Sequence, residues 1–161
     1  MRPTRNLIFL LILAGLSQSL VCQYSTVTSH GLEIGYRTFG QGTPLLILGG
    51  GPGDSSDRYL GLCELMSEYF KCILVDQRGT GISKPARYDS TTVNLSLTLS
   101  DLEEIRKNMG FKEWNVLGFS YGGFLASLYA ETYPSSVSSL VTLGSMGFDF
   151  SVFSYFQDNI Y

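Results

Sequence analysis

Residues 114–132 constrain the fold more than any other part of the chain. A short apolar run, Asn115-Val116-Leu117, meets Gly118-Phe119-Ser120-Tyr121-Gly122-Gly123, and a helix-like pattern follows at once. A strand that turns directly into a helix across Gly-x-Ser-x-Gly lifts the serine hydroxyl clear of a sheet. Such a turn leaves no room for Cβ atoms two residues to either side, which accounts for glycine at 118 and 122. The pattern alone is weak, because glycine and serine are common. A glycine-rich turn carrying an idle serine would read the same, so the neighbours must decide.

The rest of the chain alternates strands and helices. Residues 24–40 read as a β-hairpin, with strands over 25–28 and 33–38 and His30-Gly31 at the turn. Residues 44–48 (PLLIL) form a continuous apolar run, as expected of a strand covered on both faces. The loop Gly49-Gly50-Gly51-Pro52-Gly53 follows, then a helix that Ser55 or Ser56 can cap. Tyr59, Leu62, Cys63, Met66, Tyr69 and Phe70 share one face of that helix. A second buried strand, Ile73-Leu74-Val75, ends in the turn-rich segment Asp76-Gln77-Arg78-Gly79-Thr80-Gly81-Ile82-Ser83. A helix is predicted over 92–109, with Leu95, Leu99, Leu102, Ile105 and Met109 inward, a Glu103–Lys107 pair and Gly110 as its stop. After the strand at 114–119, a helix over 122–132 turns Leu125, Leu128 and Tyr129 inward, Pro134 ends it, and 137–143 (VSSLVTL) is a last strand. This order predicts an α/β fold: a mostly parallel sheet with right-handed crossovers and an N-terminal antiparallel hairpin. Sites in such sheets lie at the carboxyl ends of the strands, where loops 49–53, 76–83 and 118–122 converge.

Composition supports an ordered domain, since 44% of the 161 residues are hydrophobic and only 16% charged. The net charge of −3 and the lack of a basic cluster give no footprint for nucleic acid. Residues 1–22 stand apart, with Arg2 and Arg5, then the apolar stretch 7–16 (LIFLLILAGL), then Ser17-Gln18-Ser19. That is the order of a secretory signal peptide, cleaved after Ser19 or Cys22, and it implies a secreted or exported protein; an uncleaved anchor is the lesser alternative. Cys63 and Cys72 read as small buried hydrophobes, although an export route would permit a disulfide. One histidine and no ligand spacing speak against a metal site. Asn94-Leu95-Ser96 is a glycosylation sequon at a helix start.

Three motifs in order resemble the α/β-hydrolase superfamily, and within it the proline iminopeptidases. That family typically carries a His-Gly-Gly-Pro-Gly loop, an Asp-Gln-Arg-Gly-x-Gly-x-Ser segment and a Gly-x-Ser-x-Gly-Gly elbow. Here they stand as Gly49 to Gly53, Asp76 to Ser83 and Gly118 to Gly123, and the resemblance covers roughly residues 25–145. It implies that Ser120 is the nucleophile and that the N–H groups of Tyr121 and Gly51 form the oxyanion hole, with Gly50, Gly118 and Gly122 supporting loop and elbow. It implies no cofactor, and a peptide or a small amide or ester as substrate. Asp76 and Arg78 are expected to be structural, tying the second loop beneath the first.

Two departures accompany the resemblance. The family's loop histidine is Gly49 here, so a looser loop is expected. No histidine follows Ser120, and the only one in the sequence, His30, falls in the hairpin turn and reads as a solvated residue. Asp149 could stand as the acid but has no imidazole to orient. The expectation is therefore the N-terminal part of a hydrolase domain over 24–145, truncated after the sixth strand, with 146–161 an aromatic tail at the start of a missing cap region. Alone it should have little or no hydrolase activity, or serve as a non-catalytic interaction fragment, and its last strand should be an exposed edge that favours association. A nucleotide-binding module is the rival reading of Gly49-x-Gly51. Its fingerprint needs glycine at 54, where Asp54 would repel a pyrophosphate, and Pro52 removes an N–H.

Overall fold

The structure, a computed structural model, describes residues 22–145 and residue 147. The expected leader over 1–22 and the aromatic tail from Phe148 onward, with Asp149, lie outside these residues apart from Cys22. Six strands form one sheet in the order β1-β2-β4-β3-β5-β6. They are β1 (Gln23–Ser29), β2 (Leu32–Phe39), β3 (Pro44–Leu48), β4 (Lys71–Val75), β5 (Trp114–Phe119) and β6 (Val137–Leu143). The hairpin pair β1–β2 and the β2–β4 contact are antiparallel, and β4, β3, β5 and β6 run parallel. This is the predicted hairpin-edged, mostly parallel sheet. Helices α1 (Leu60–Met66), α2 (Leu95–Asn108) and α3 (Tyr121–Thr132) make the crossovers.

Alternate residues of the apolar runs go to opposite faces of the sheet. Ile73, Leu46 and Val116 stand in register across β4, β3 and β5 and join Leu102, Ile105, Leu125 and Tyr129 in the larger core. Leu74 and Ile47, one step on, join Cys63, Cys72 and Phe39 in the smaller core beside α1. A run such as PLLIL is therefore apolar at every position because both faces are covered. Cys63 and Cys72 are free thiols there. Burial, with a lesser push from Cys72, drives the Cys63 thiol up to about 12, and burial drives Cys72 up to about 11, so neither is a ready thiolate.

Three helical expectations change. The first helix stops at Met66, and Tyr69 is 68% exposed rather than inward. Here Ser67 Oγ donates to Glu64 O at 2.6 Å, and Gly40 lies so close that a Cβ on it would stand 2.5 Å from Phe70 O. The chain must leave the helical path to pass that point and enter β4. The second helix starts later than predicted, because Asn94 caps it by accepting from Leu97 N at 2.9 Å. Leu95, just past the cap, is 39% exposed instead of packed. The Asn94 amide also donates to Ser90 O at 2.8 Å, a bond that a glycan on this nitrogen would disturb. The Glu103–Lys107 pair does not form. Glu103 is buried and receives Arg106 Nη2 at 2.5 Å and the Tyr129 hydroxyl at 2.7 Å, while Lys107 turns outward to Glu104 at 3.1 Å.

Candidate active site

Strand β5 delivers Ser120 to the top of the sheet, and α3 begins one residue later. The turn between them is forced on a residue with a side chain, since Ser120 has φ +51° and ψ −117°. Its side chain makes no capping bond and the residue is exposed. The Ser120 N–H donates to Leu143 O at 2.8 Å, so the end of β6 pins the turn from one side. Gly118 and Gly122 are buried where no Cβ would fit. One built on Gly118 would stand 2.7 Å from Gly123 Cα, and one on Gly122 would stand 2.5 Å from Gly49 O. The steric need for both glycines expected from the sequence is thus met by named neighbours.

The glycine loop at the end of β3 lies against this turn. A Cβ on Gly50 would stand 3.0 Å from both Ser120 Cβ and Phe119 O. Gly51 takes φ +70°, which its missing side chain permits, and its carbonyl accepts from Asp54 N at 3.1 Å. The N–H groups of Gly51 and Tyr121 have no acceptor among the described residues, and Tyr121, the first residue of α3, lacks an intrahelical partner by position. The Gly50 N–H differs, since it donates to the Tyr59 hydroxyl at 2.7 Å. Tyr121 is half-buried, packs its ring 6.0 Å from that of Phe124, and has its phenol pushed up by burial.

The loop after β4 braces this arrangement through Gln77 and Asp76 rather than through Arg78. Gln77 Nε2 donates to Gly49 O at 3.1 Å and makes the tie to the glycine loop. Arg78 instead points away to α2, where Nε and Nη2 meet the two oxygens of Asp101 at 2.7 and 2.6 Å and Nη2 also reaches Ser29 O at 3.1 Å. A buried guanidinium needs a carboxylate, and Asp101 is the one within reach. Asp76 is a buried anchor, as expected. It accepts from Tyr24 at 2.5 Å, from Ile82 N at 3.3 Å and from Ser56, with Arg37 at 3.6 Å. These bonds clamp the 3-10 turn Ser56–Tyr59, which follows the glycine loop, to β1 and β2. Burial of Tyr24, and after it the bond to and charge of Asp76, push the Tyr24 phenol up.

Loop, elbow and brace converge as predicted, but His30 stands apart. It occupies the β1–β2 turn at φ +49°, exposed, with Nε2 2.8 Å from Ser100 Oγ. Strand β2 is three places from β5 in the sheet, about 14 Å at the usual strand spacing of roughly 4.8 Å. Among the described residues no group of His, Cys, Asp and Glu could hold a metal ion, and no helix is long and apolar enough to cross a membrane. Two residues of the site were not singled out from the sequence. In the sequence Gln77 stands inside a motif dominated by its flanking charges, and Tyr59 reads as part of an apolar helical face. The absence of a side chain at 49 was the available clue to Tyr59, since the space has to be filled from elsewhere.

Comparison with known proteins follows the same lines. Residues 43–161 match the family described as alpha/beta hydrolase fold. The chain is 37% identical over 106 residues to a proline iminopeptidase of Neisseria meningitidis, covering 64% of this chain and 33% of that one. It is 39% identical over 114 residues to a proline iminopeptidase of Heyndrickxia coagulans, covering 69% and 39%. The chain thus spans between about a third and two fifths of the length of these relatives. An epoxide hydrolase from Vigna radiata superposes with a TM-score of 0.73 at 17% identity, covering 86% of this chain and 45% of its own, a likeness of fold alone. An α/β hydrolase from Novosphingobium aromaticivorans superposes with a TM-score of 0.66 at 26% identity, covering 75% and 43%. On its matched motifs, its sheet order and these relatives, the chain belongs to the α/β-hydrolase superfamily.

Proposed function

We propose that this chain carries the nucleophile and oxyanion-binding part of a serine hydrolase related to the proline iminopeptidases, acting on the amide or ester carbonyl of a peptide or small substrate. Ser120 Oγ attacks the carbonyl carbon, and the oxygen that gains charge settles between the N–H groups of Gly51 and Tyr121. The observation that carries this reading is the exposed Ser120 at φ +51°, with those two N–H groups left without acceptors among the described residues. Donors fixed by backbone need no reorganisation as the charge develops, and removing one typically costs about 3 kcal/mol in the transition state. Release of an N-terminal proline is the activity the named relatives suggest, and the reading extends it to this chain.

A serine hydroxyl is a poor nucleophile until a base takes its proton. His30 is engaged with Ser100 and is the only histidine of the 161 residues. This polypeptide by itself therefore turns over substrate feebly or not at all, and an added base should restore part of the chemistry. The test compares the wild type with Ser120→Ala on prolyl and acetyl 4-nitrophenyl esters, with and without free imidazole. The difference between the two proteins is expected to be near zero without imidazole and to rise with its concentration. Equal rates at every concentration would remove the hydrolase reading of the site, and ordinary enzyme turnover without imidazole would show that a base is already in place. Export by a leader over residues 1–22 is part of the same proposal, and the N-terminal sequence of secreted protein tests it.

A further inference from the structure

We infer that Tyr59 is the positioning residue of the glycine loop, taking over the space and the support that a side chain at position 49 would provide. The inference rests on the reading that this loop faces the charged oxygen of the reaction. Gly49 is buried, and a Cβ built on it would stand 2.5 Å from Tyr59 Cε2 and 3.1 Å from Cδ2. The ring at 59 and any side chain at 49 therefore exclude each other. The ring cannot easily swing aside. Its far edge is tied through the hydroxyl to Gly50 N–H at 2.7 Å, and its centre lies 5.3 Å from that of the tilted Phe119 ring, next to Ser120 in sequence.

The consequence for the loop is a division of labour between adjacent N–H groups. Tyr59 Oη draws the Gly50 N–H down, away from the reacting oxygen. The same peptide plane is held from its opposite edge, because Gly49 O receives Gln77 and abuts Gly122. With Gly50 committed, Gly51 at φ +70° keeps an N–H that has no acceptor among the described residues. Where the sequence leads to the expectation of a looser loop, Tyr59 supplies a fastening from α1's side of the sheet. Tyr59 touches no substrate in this account and acts only through the loop.

The test uses the full chain and three variants, Tyr59→Phe, Gly49→Ala and both together. Amide hydrogen exchange, resolved by NMR, is read at Gly50 and at Leu46 and Val116 inside the sheet. Phe keeps the ring and removes the acceptor, so Gly50 exchange should rise about tenfold while the sheet amides hold their protection. Gly49→Ala pushes the ring off and should raise Gly50 exchange similarly, with no further rise in the double variant. Labelling of Ser120 by a 4-nitrophenyl phosphonate, in imidazole, should slow about tenfold in Tyr59→Phe, as expected for a misplaced donor. Unchanged Gly50 exchange, an equal loss of protection throughout the sheet, or altered exchange with unchanged labelling would each overturn the inference. If the wild type itself is not labelled, the nucleophile reading fails, and the hold of Tyr59 on the loop is decided by exchange alone.

Discussion

Ser120 holds a backbone conformation that glycine adopts far more readily, at φ +51° and ψ −117°. Strain of this kind costs of order 1–3 kcal/mol and persists only where the surroundings impose it. Here the imposing bonds are Ser120 N–H to Leu143 O and Gly123 N–H to Ser120 O, at 2.8 and 2.9 Å. Glycine usually destabilises a structured position relative to alanine. At residue 120 the order should reverse, with Ser120→Gly more stable than Ser120→Ala by about 1 kcal/mol in urea unfolding. The opposite order would mean that the turn relaxes and stores no strain. The elbow was legible in the sequence because glycines at 118 and 122 bracket a serine between strand and helix patterns. The roles of Gln77 and Tyr59 were not, since both act on backbone groups of residues distant in sequence.

At the scale of elements, α2 and α3 are joined by a polar contact inside a mostly apolar layer. Glu103 receives Arg106 and Tyr129 there, and Tyr129 packs against Trp114 with ring centres 6.0 Å apart. Burial alone would raise the Glu103 carboxyl, but bonds from Arg106 and Tyr129 outweigh it and hold the group below its ordinary value of 4.5. A carboxyl lowered by folding stabilises fully above its unfolded pKa, and that contribution is lost as pH falls through the folded value. Glu103→Gln should therefore melt well below the wild type at pH 7, and the gap should close steadily as pH drops below about 4.5. A gap independent of pH would assign the effect to packing rather than charge. Periodicity placed α2 on the sheet with Leu99, Leu102 and Ile105 inward. It could not foresee that Glu103 lies on that inward face, because its burial depends in part on Tyr129, a donor supplied from α3.

Across the whole molecule the sheet ends at β6, which is bonded to β5 and to no other strand among the described residues. Leu140, Val141 and Leu143 on it are exposed, the latter two by 50% and 48%. An open apolar edge invites strand pairing with another chain. The 161-residue polypeptide is expected to self-associate in sedimentation at micromolar concentration, and Val141→Lys should shift it toward monomer; a wild-type monomer across that range would refute the association. Strand alternation, apolar runs and three glycine-bearing loops were enough to specify the layered α/β sheet and the end of it where the loops meet, because hydrophobic periodicity and steric demand on glycine are local properties. Tertiary structure alone decided which N–H groups remain without acceptors, that Arg78 serves α2 rather than the loop, and that a tyrosine stands where position 49 has no side chain. Those outcomes depend on distances between groups brought together only when the sheet closes, and no local pattern records them.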